Sequence, residues 1–147
     1  MTMIHATLSR WGRLDILINN AAVDPKADAR ADCSLAGTFE DLPLAVWQQS
    51  LDVNLTGVFL CAQAAGRVMR RAGSGVIVNV SSTYGLVAPD QRLYQRDNEE
   101  QQGLFKPASY AVTKAAVAWR QRVHPDARGA PVGRQVSCQM RPWHCVD

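Results

Sequence analysis

The chain has no run of the roughly 18 apolar residues that a membrane helix needs, and no C-x-x-C pair. The first absence excludes a helical membrane span. The second removes the commonest zinc and redox spacings. The cysteines, Cys33, Cys61, Cys138 and Cys145, are scattered, and no apolar leader precedes them at Met1–Arg10. The sequence therefore predicts free thiols in a reducing, cytoplasmic compartment. Cys138, His144 and Cys145 crowd together near the end, but their spacing suits no usual zinc site, so no metal is expected. Charge of one sign is also scarce. The net charge is only +3, and the arginines of the last third are dispersed rather than gathered into a stripe. Neither nucleic acid nor a membrane is an expected partner. Internal repeats are absent.

What is present fits one domain of ordinary size, 147 residues with 47% hydrophobic and 20% charged. Ile16-Leu17-Ile18 is a short apolar run closed by Asn19-Asn20, a pattern that predicts a buried strand. Residues 24–41, rich in Asp, Ala, Pro and Gly, read as loop. From Pro43 to Arg71 the apolar residues Leu44, Trp47, Leu51, Leu55, Val58, Phe59, Ala62, Ala65, Val68 and Met69 recur at helical spacing. They predict one long helix, bent near Asn54–Gly57, and Gly73-Ser74-Gly75 ends it. Val76–Val80 is a β-branched run, the strongest strand signal in the chain, and it stops at Ser81-Ser82. Residues 83–109 form a connection of unusual length, polar around 95–100. A second helix is predicted over Ala108–Ala118. From Trp119 onward, Pro125, Pro131 and Pro142 with Gly129 and Gly133 break any period, and no element is expected.

Strand, helix, strand and helix in this order predict an α/β fold, a partial doubly wound parallel sheet. Both strands are continuously apolar, as expected where helices cover both faces. Ligands of such sheets bind beyond the carboxyl ends of the strands, and Ser82 lies there. Tyr110 and Lys114 are four apart on one predicted helix face. An ammonium beside a phenol favours the phenolate. A phenol so tuned can exchange a proton with an alcohol or carbonyl oxygen, and a serine hydroxyl can hold that oxygen as its charge changes. Such a set suits hydride transfer at a carbonyl carbon. Asn54 sits inside a predicted helix, where its amide needs a local purpose. Tyr84 and Tyr94 read as loop packing.

Tyr110-Ala-Val-Thr-Lys114 matches the Y-x-x-x-K motif of the short-chain dehydrogenases/reductases. Three upstream segments also resemble that family: Asp15-Ile-Leu-Ile-Asn19-Asn20-Ala21-Ala22, Asp52-Val53-Asn54-Leu55-Thr56-Gly57 and Val78-Asn79-Val80-Ser81-Ser82. Y-x-x-x-K alone is weak, but these motifs stand in family order, each on its predicted element. The resemblance implies a Rossmann-type oxidoreductase using NAD or NADP on an alcohol/ketone pair, assembled as a homodimer or homotetramer. It implies Tyr110 as acid/base and Lys114 as the group that lowers the phenol's pKa and contacts the nicotinamide ribose. It implies Ser82 orienting the substrate oxygen, Asn54 supporting a water-linked proton relay to the lysine, and Asn20, Ala21 and Ala22 lining the adenosine side of the cofactor.

The chain departs from the family in several places. The glycine-rich T-G-x-x-x-G-x-G turn that places a pyrophosphate at a helix N-terminus does not occur. The interval from Ser82 to Tyr110, 28 residues, exceeds the family's usual gap. After Lys114 the family's glycine, strand and Pro-Gly turn are not found. The expectation is therefore that residues 1–118 form the central part of a Rossmann domain, and that 119–147 are an atypical tail, out of frame or disordered. Weak cofactor binding is expected, and an inactive fragment is an alternative reading. So is a sugar-nucleotide epimerase or dehydratase of the wider family, which the long Ser82–Tyr110 interval keeps open.

Overall fold

The computed structural model describes residues 2–24, 38–94, 106–118 and 134–140. Its elements in chain order are α1 (Thr2–Trp11), β1 (Ile16–Asn19), α2 (Leu44–Leu51), a π-helical turn (Asp52–Thr56), α3 (Gly57–Ala72), β2 (Val76–Ser82), α4 (Ala108–Val117) and β3 (Arg134–Met140). Short 3₁₀ turns occupy Thr83–Gly85 and Gln91–Tyr94. The sheet is parallel throughout, in the order β1-β2-β3, with Ile16 opposite Val76 and Val76 opposite Arg134. Parallel pairing puts every strand's carboxyl end on the same edge. β2 runs past the end of β1, so Ser82 stands at that edge.

The long predicted helix is α2 and α3 joined through the π turn, where the Gly57 N–H bonds the Asp52 carbonyl. The widened turn falls where the bend was expected, and π turns are frequent at functional sites. α3 stops because Gly73 takes a left-handed conformation (φ 71°), which costs a residue without Cβ little. Gly73 N–H then bonds Arg70 O at 3.3 Å and Ser74 N–H bonds Met69 O at 3.2 Å. That pair satisfies carbonyls that the helix leaves open, while Arg70 and Arg71 complement the negative end of the helix.

Leu17, Ile77, Ala65 and Met69 form the core cluster, with Ile4, Leu14, Cys61 and Ala62 packed against it. Burying each large side chain here is worth about 1.5–3 kcal/mol. Strand side chains alternate between faces, so Leu17 and Ile77 mark the face that α1 and α3 cover. Ser81, on that same face, donates to Lys114 O at 2.7 Å, which places α4 over it too. The opposite face is different. Ile16 and Ile18 are 58% and 62% exposed. The expected α/β class and parallel sheet hold. Among the described residues, however, the helices meet one face of the sheet, whereas cover on both was expected.

A second correction concerns the tail. No element was expected after Ala118, yet β3 pairs with β2 along seven residues. The missed signal is short. Val136, Cys138 and Met140 alternate with polar residues, a period-2 pattern that the surrounding Arg, Pro and Gly obscure. The expectations for 25–37, 95–105, 119–133 and 141–147 lie outside the described residues. Among the described residues, no helix is long and apolar enough to cross a membrane, no group of three or more His, Cys, Asp or Glu side chains could hold a metal, and Cys61 is a free thiol.

Candidate active site

Ser82 and Ser81 have opposite fates, although they are adjacent. Ser81 Oγ is buried and bonded to the backbone of α4, so it serves packing. Ser82 Oγ accepts from Tyr84 N–H at 3.2 Å and stands close enough to the Tyr110 phenol to favour its ionised form. β2 therefore delivers one serine inward to a helix and the next to the phenol.

α4 carries Tyr110 and Lys114 toward this strand end. Lys114 is 6% exposed; its Nζ donates to Val80 O at 2.8 Å and lies 5.8 Å from the Tyr110 ring centroid. Gly85 makes this approach possible. A Cβ there would stand 2.7 Å from Lys114 C and O and 2.8 Å from Ala115 N. Those are backbone atoms that cannot step aside, so only glycine lets the 3₁₀ turn touch α4.

Asn54 is 2% exposed, and all its donors are in use. Its Nδ2 donates to Val23 O at 2.9 Å and to Thr113 Oγ1 at 3.2 Å, while its Oδ1 accepts from Val23 N–H at 2.8 Å. Thr113 Oγ1 in turn donates to Tyr110 O at 2.9 Å. One side chain in the π turn thus ties the stretch after β1 to the turn of α4 that bears the tyrosine. A second tie, Ser50 Oγ to Ser109 Oγ at 3.0 Å, joins α2 to the start of α4. Asn54 does not bond Lys114; it reaches the neighbouring Thr113. Asn20, Ala21 and Ala22 are exposed just past the carboxyl end of β1, on the sheet edge that Ser82 occupies. Asn19 Nδ2 donates to Asn79 Oδ1 at 2.9 Å, fixing the register beneath them.

The phenol of Tyr110 is held above the ordinary tyrosine value of 10.0, first because it is partly buried, with Ser82 opposing and Asp24 and Tyr84 adding to the rise. The Lys114 ammonium is held below the ordinary lysine value of 10.5, again by burial, with the Asp24 carboxylate opposing. Burial disfavours each charged form, and it is the largest cause of both shifts.

Sequence reasoning missed two charged residues. Lys106 Nζ forms an ion pair with Asp24 Oδ2 and stands 4.3 Å from the Tyr110 ring centroid and 5.8 Å from that of Tyr84. Gln91 pins the Lys106 backbone through both its carbonyl (3.0 Å) and its N–H (2.9 Å). These residues belong to no spacing motif; 82 positions separate Asp24 from Lys106. A shallow cavity of about 250 Å³ opens beside them, lined in part by Phe39, Glu40, Leu42 and Lys106.

Comparison with known proteins places the chain in a family. Residues 1–94 match the family model described as short chain dehydrogenase. A 3-oxoacyl-[acyl-carrier-protein] reductase from Synechocystis is 36% identical over 122 residues, covering 79% of this chain and 45% of that protein. A short-chain dehydrogenase/reductase structure from Burkholderia xenovorans superposes with a TM-score of 0.69 at 27% identity, covering 97% of this chain and 47% of that one. A short-chain dehydrogenase from Leptospira borgpetersenii, solved with bound NAD+, gives 0.59 at 30% identity over 79% of this chain and 39% of that one. The chain thus spans less than half the length of these relatives. With a family match over well over half of its residues, on a parallel sheet with helices of the expected order, the chain belongs to the short-chain dehydrogenase family.

Proposed function

We propose that this chain carries the proton-transfer centre of an NAD- or NADP-dependent oxidoreductase acting on an alcohol/ketone pair. The observation that carries the reading is the convergence of Ser82, at the end of β2, with Tyr110 and Lys114, on α4, at the carboxyl edge of a parallel sheet. The residues fit a dinucleotide. An ammonium has three donors, and Lys114 commits one to Val80 O. Asn20, Ala21 and Ala22 are small and exposed at the same edge, so their backbone is within reach of a ligand. Lys114 and Tyr110 would hold the nicotinamide side, and Asn20, Ala21 and Ala22 the adenosine side. A bound nicotinamide supplies the hydride acceptor or donor.

The chain's own residues then handle the proton. In the oxidising direction Ser82 Oγ and Tyr110 Oη hold the substrate hydroxyl. Tyr110, as phenolate, accepts its proton while hydride leaves the carbinol carbon. In the reducing direction Tyr110 returns the proton to the carbonyl oxygen, and the Ser82 hydroxyl stabilises the charge on that oxygen. Asn54 acts as a positioning residue, holding Val23 and, through Thr113, the Tyr110 turn. The exposed Val53, Phe59, Leu60 and Val112 on the long helix and α4 support pairing of subunits through these helices.

The test is NAD(P)H absorbance with a panel of secondary alcohols and ketones, using the whole chain and its Y110F, K114M and S82A variants. Tyr110→Phe should lower turnover by about 10²–10⁴-fold. Turnover unchanged in Y110F, or none on the whole panel, would count against the proposal.

A further inference from the structure

The Asp24–Lys106 pair lies outside every motif of the chain, yet it stands against the proposed acid/base. Of the two ammonium groups near Tyr110, Lys106 is nearer the ring, at 4.3 Å against 5.8 Å for Lys114. Its side chain is 12% exposed and that of Asp24 26%, so solvent screens the pair only partly. Lys106 is held in place, because Gln91 engages both backbone groups of that residue. Asp24 Oδ2 bonds Lys106, while Asp24 Oδ1 is buried without a hydrogen-bond partner among the described residues. An incompletely satisfied buried carboxylate is costly. Its retention here calls for a use.

We propose that Asp24 and Lys106 form a charge-setting pair of the reaction centre, which fixes the protonation state that Tyr110 presents to substrate. The proposal rests on the reading of Tyr110 as acid/base. Among the described residues, five side chains face the phenol: Ser82 from the end of β2, Tyr84 from the 3₁₀ turn, Lys114 from its own helix, Asp24 from the stretch after β1, and Lys106 from the segment before α4. Lys114 is tethered to Val80 O. Asp24 and Lys106 add a fixed pair of opposite charges to the field. The carboxylate disfavours the phenolate and favours a charged Lys114. The ammonium over the ring does the reverse for the phenol. The two charges thus bias the phenol in opposite senses. Tyr110 keeps its proton, the form that protonates a carbonyl oxygen, without being locked in it.

The two halves of the pair must therefore act with opposite sign, which a merely structural clamp would not produce. The experiment is a pH titration of the whole chain carrying ring-carbon-labelled tyrosine, followed by NMR. The Tyr110 resonance is assigned by its loss in Y110F. Asp24→Asn should lower the Tyr110 midpoint, Lys106→Met should raise it, the double variant should fall between them, and Lys106→Arg should stay near the native value. Lys106→Gln serves as a second neutral variant. Midpoints that stay put in both D24N and K106M, or that move in the same direction, overturn the proposal. Loss of the folded amide spectrum in both K106M and K106Q would make the lysine a structural clamp and overturn it as well. Turnover that survives in Y110F would defeat the catalytic reading while leaving these titration signs intact, so the two failures can be told apart.

Discussion

Replacing Asn54 by alanine separates two accounts of that residue. If Asn54 only marks a bend, alanine should be neutral or stabilising, because alanine is the better helix former by a few tenths of a kcal/mol. The structure says otherwise. The amide makes three hydrogen bonds, to Val23 N–H, Val23 O and Thr113 Oγ1. Each is worth about 1 kcal/mol net. Val23 is only half-buried, so water recovers part of the loss at its backbone groups. The hydroxyl of Thr113, fully buried, recovers less. The balance is a loss of about 2–4 kcal/mol. Asn54→Asp should cost at least as much. It keeps the acceptor toward Val23 N–H, turns the donor toward Val23 O into an acceptor, and places a charge at a site 2% exposed. Urea unfolding of the three proteins measures this, with similar slopes for all of them. Hydrogen exchange at the Val23 amide should accelerate in N54A more than exchange in β2. An N54A protein with a urea midpoint equal to or above that of the native chain would refute the brace.

Other perturbations test other joints. Gly85→Ala forces a Cβ into the Lys114 backbone at 2.7 Å and should cost about 1–3 kcal/mol, with the Tyr110 and Lys114 resonances displaced; thermal unfolding and NMR measure both. Met69→Ala, at a position 1% exposed in the core, should cost about 2–5 kcal/mol in urea unfolding. Tyr110 is raised in the folded chain by burial, so its contribution to stability is complete below the unfolded value near 10.0 and is lost as pH rises through the folded value. Native protein should therefore lose stability above pH 10 faster than Y110F, as read by denaturation midpoints across that window. Leu60→Asp, 53% exposed on α3, should shift the chain toward monomer in sedimentation without lowering its unfolding free energy by more than about 0.5 kcal/mol.

Legibility in the sequence followed the range of the interactions. The β-branched run of β2 and the 3.6-residue period of the long helix are local facts, and both elements appear close to where the pattern put them. The Tyr110–Lys114 pair is local too, since helical geometry alone sets four-apart residues on one face. The exposure of Ile16 and Ile18 was not legible. An apolar run announces two faces that want cover, not whether the described elements cover them. β3 was hidden for a different reason: three alternating apolar residues are a thin signal among arginine, proline and glycine.

The site divides along the same line. Ser82, Tyr110, Lys114 and Asn54 could be named because their residue types and spacings form a pattern. What they do is set by partners that no pattern reaches. Asn54 was expected to support a water-linked relay to the lysine, and the bonds of its side-chain amide to Val23 and Thr113 are a further role that no spacing announces. Burial, which no spacing announces, raises the phenol and lowers the ammonium of the Tyr110–Lys114 pair. The charges beside the phenol, Asp24 and Lys106, stand 82 positions apart in the chain. Both sit on connections rather than on helices or strands, where side-chain direction has no period to betray it. The scaffold of a reaction centre is thus written in short-range periodicity. The field that sets its protonation is written in long-range pairing, and only coordinates bring that pairing into view.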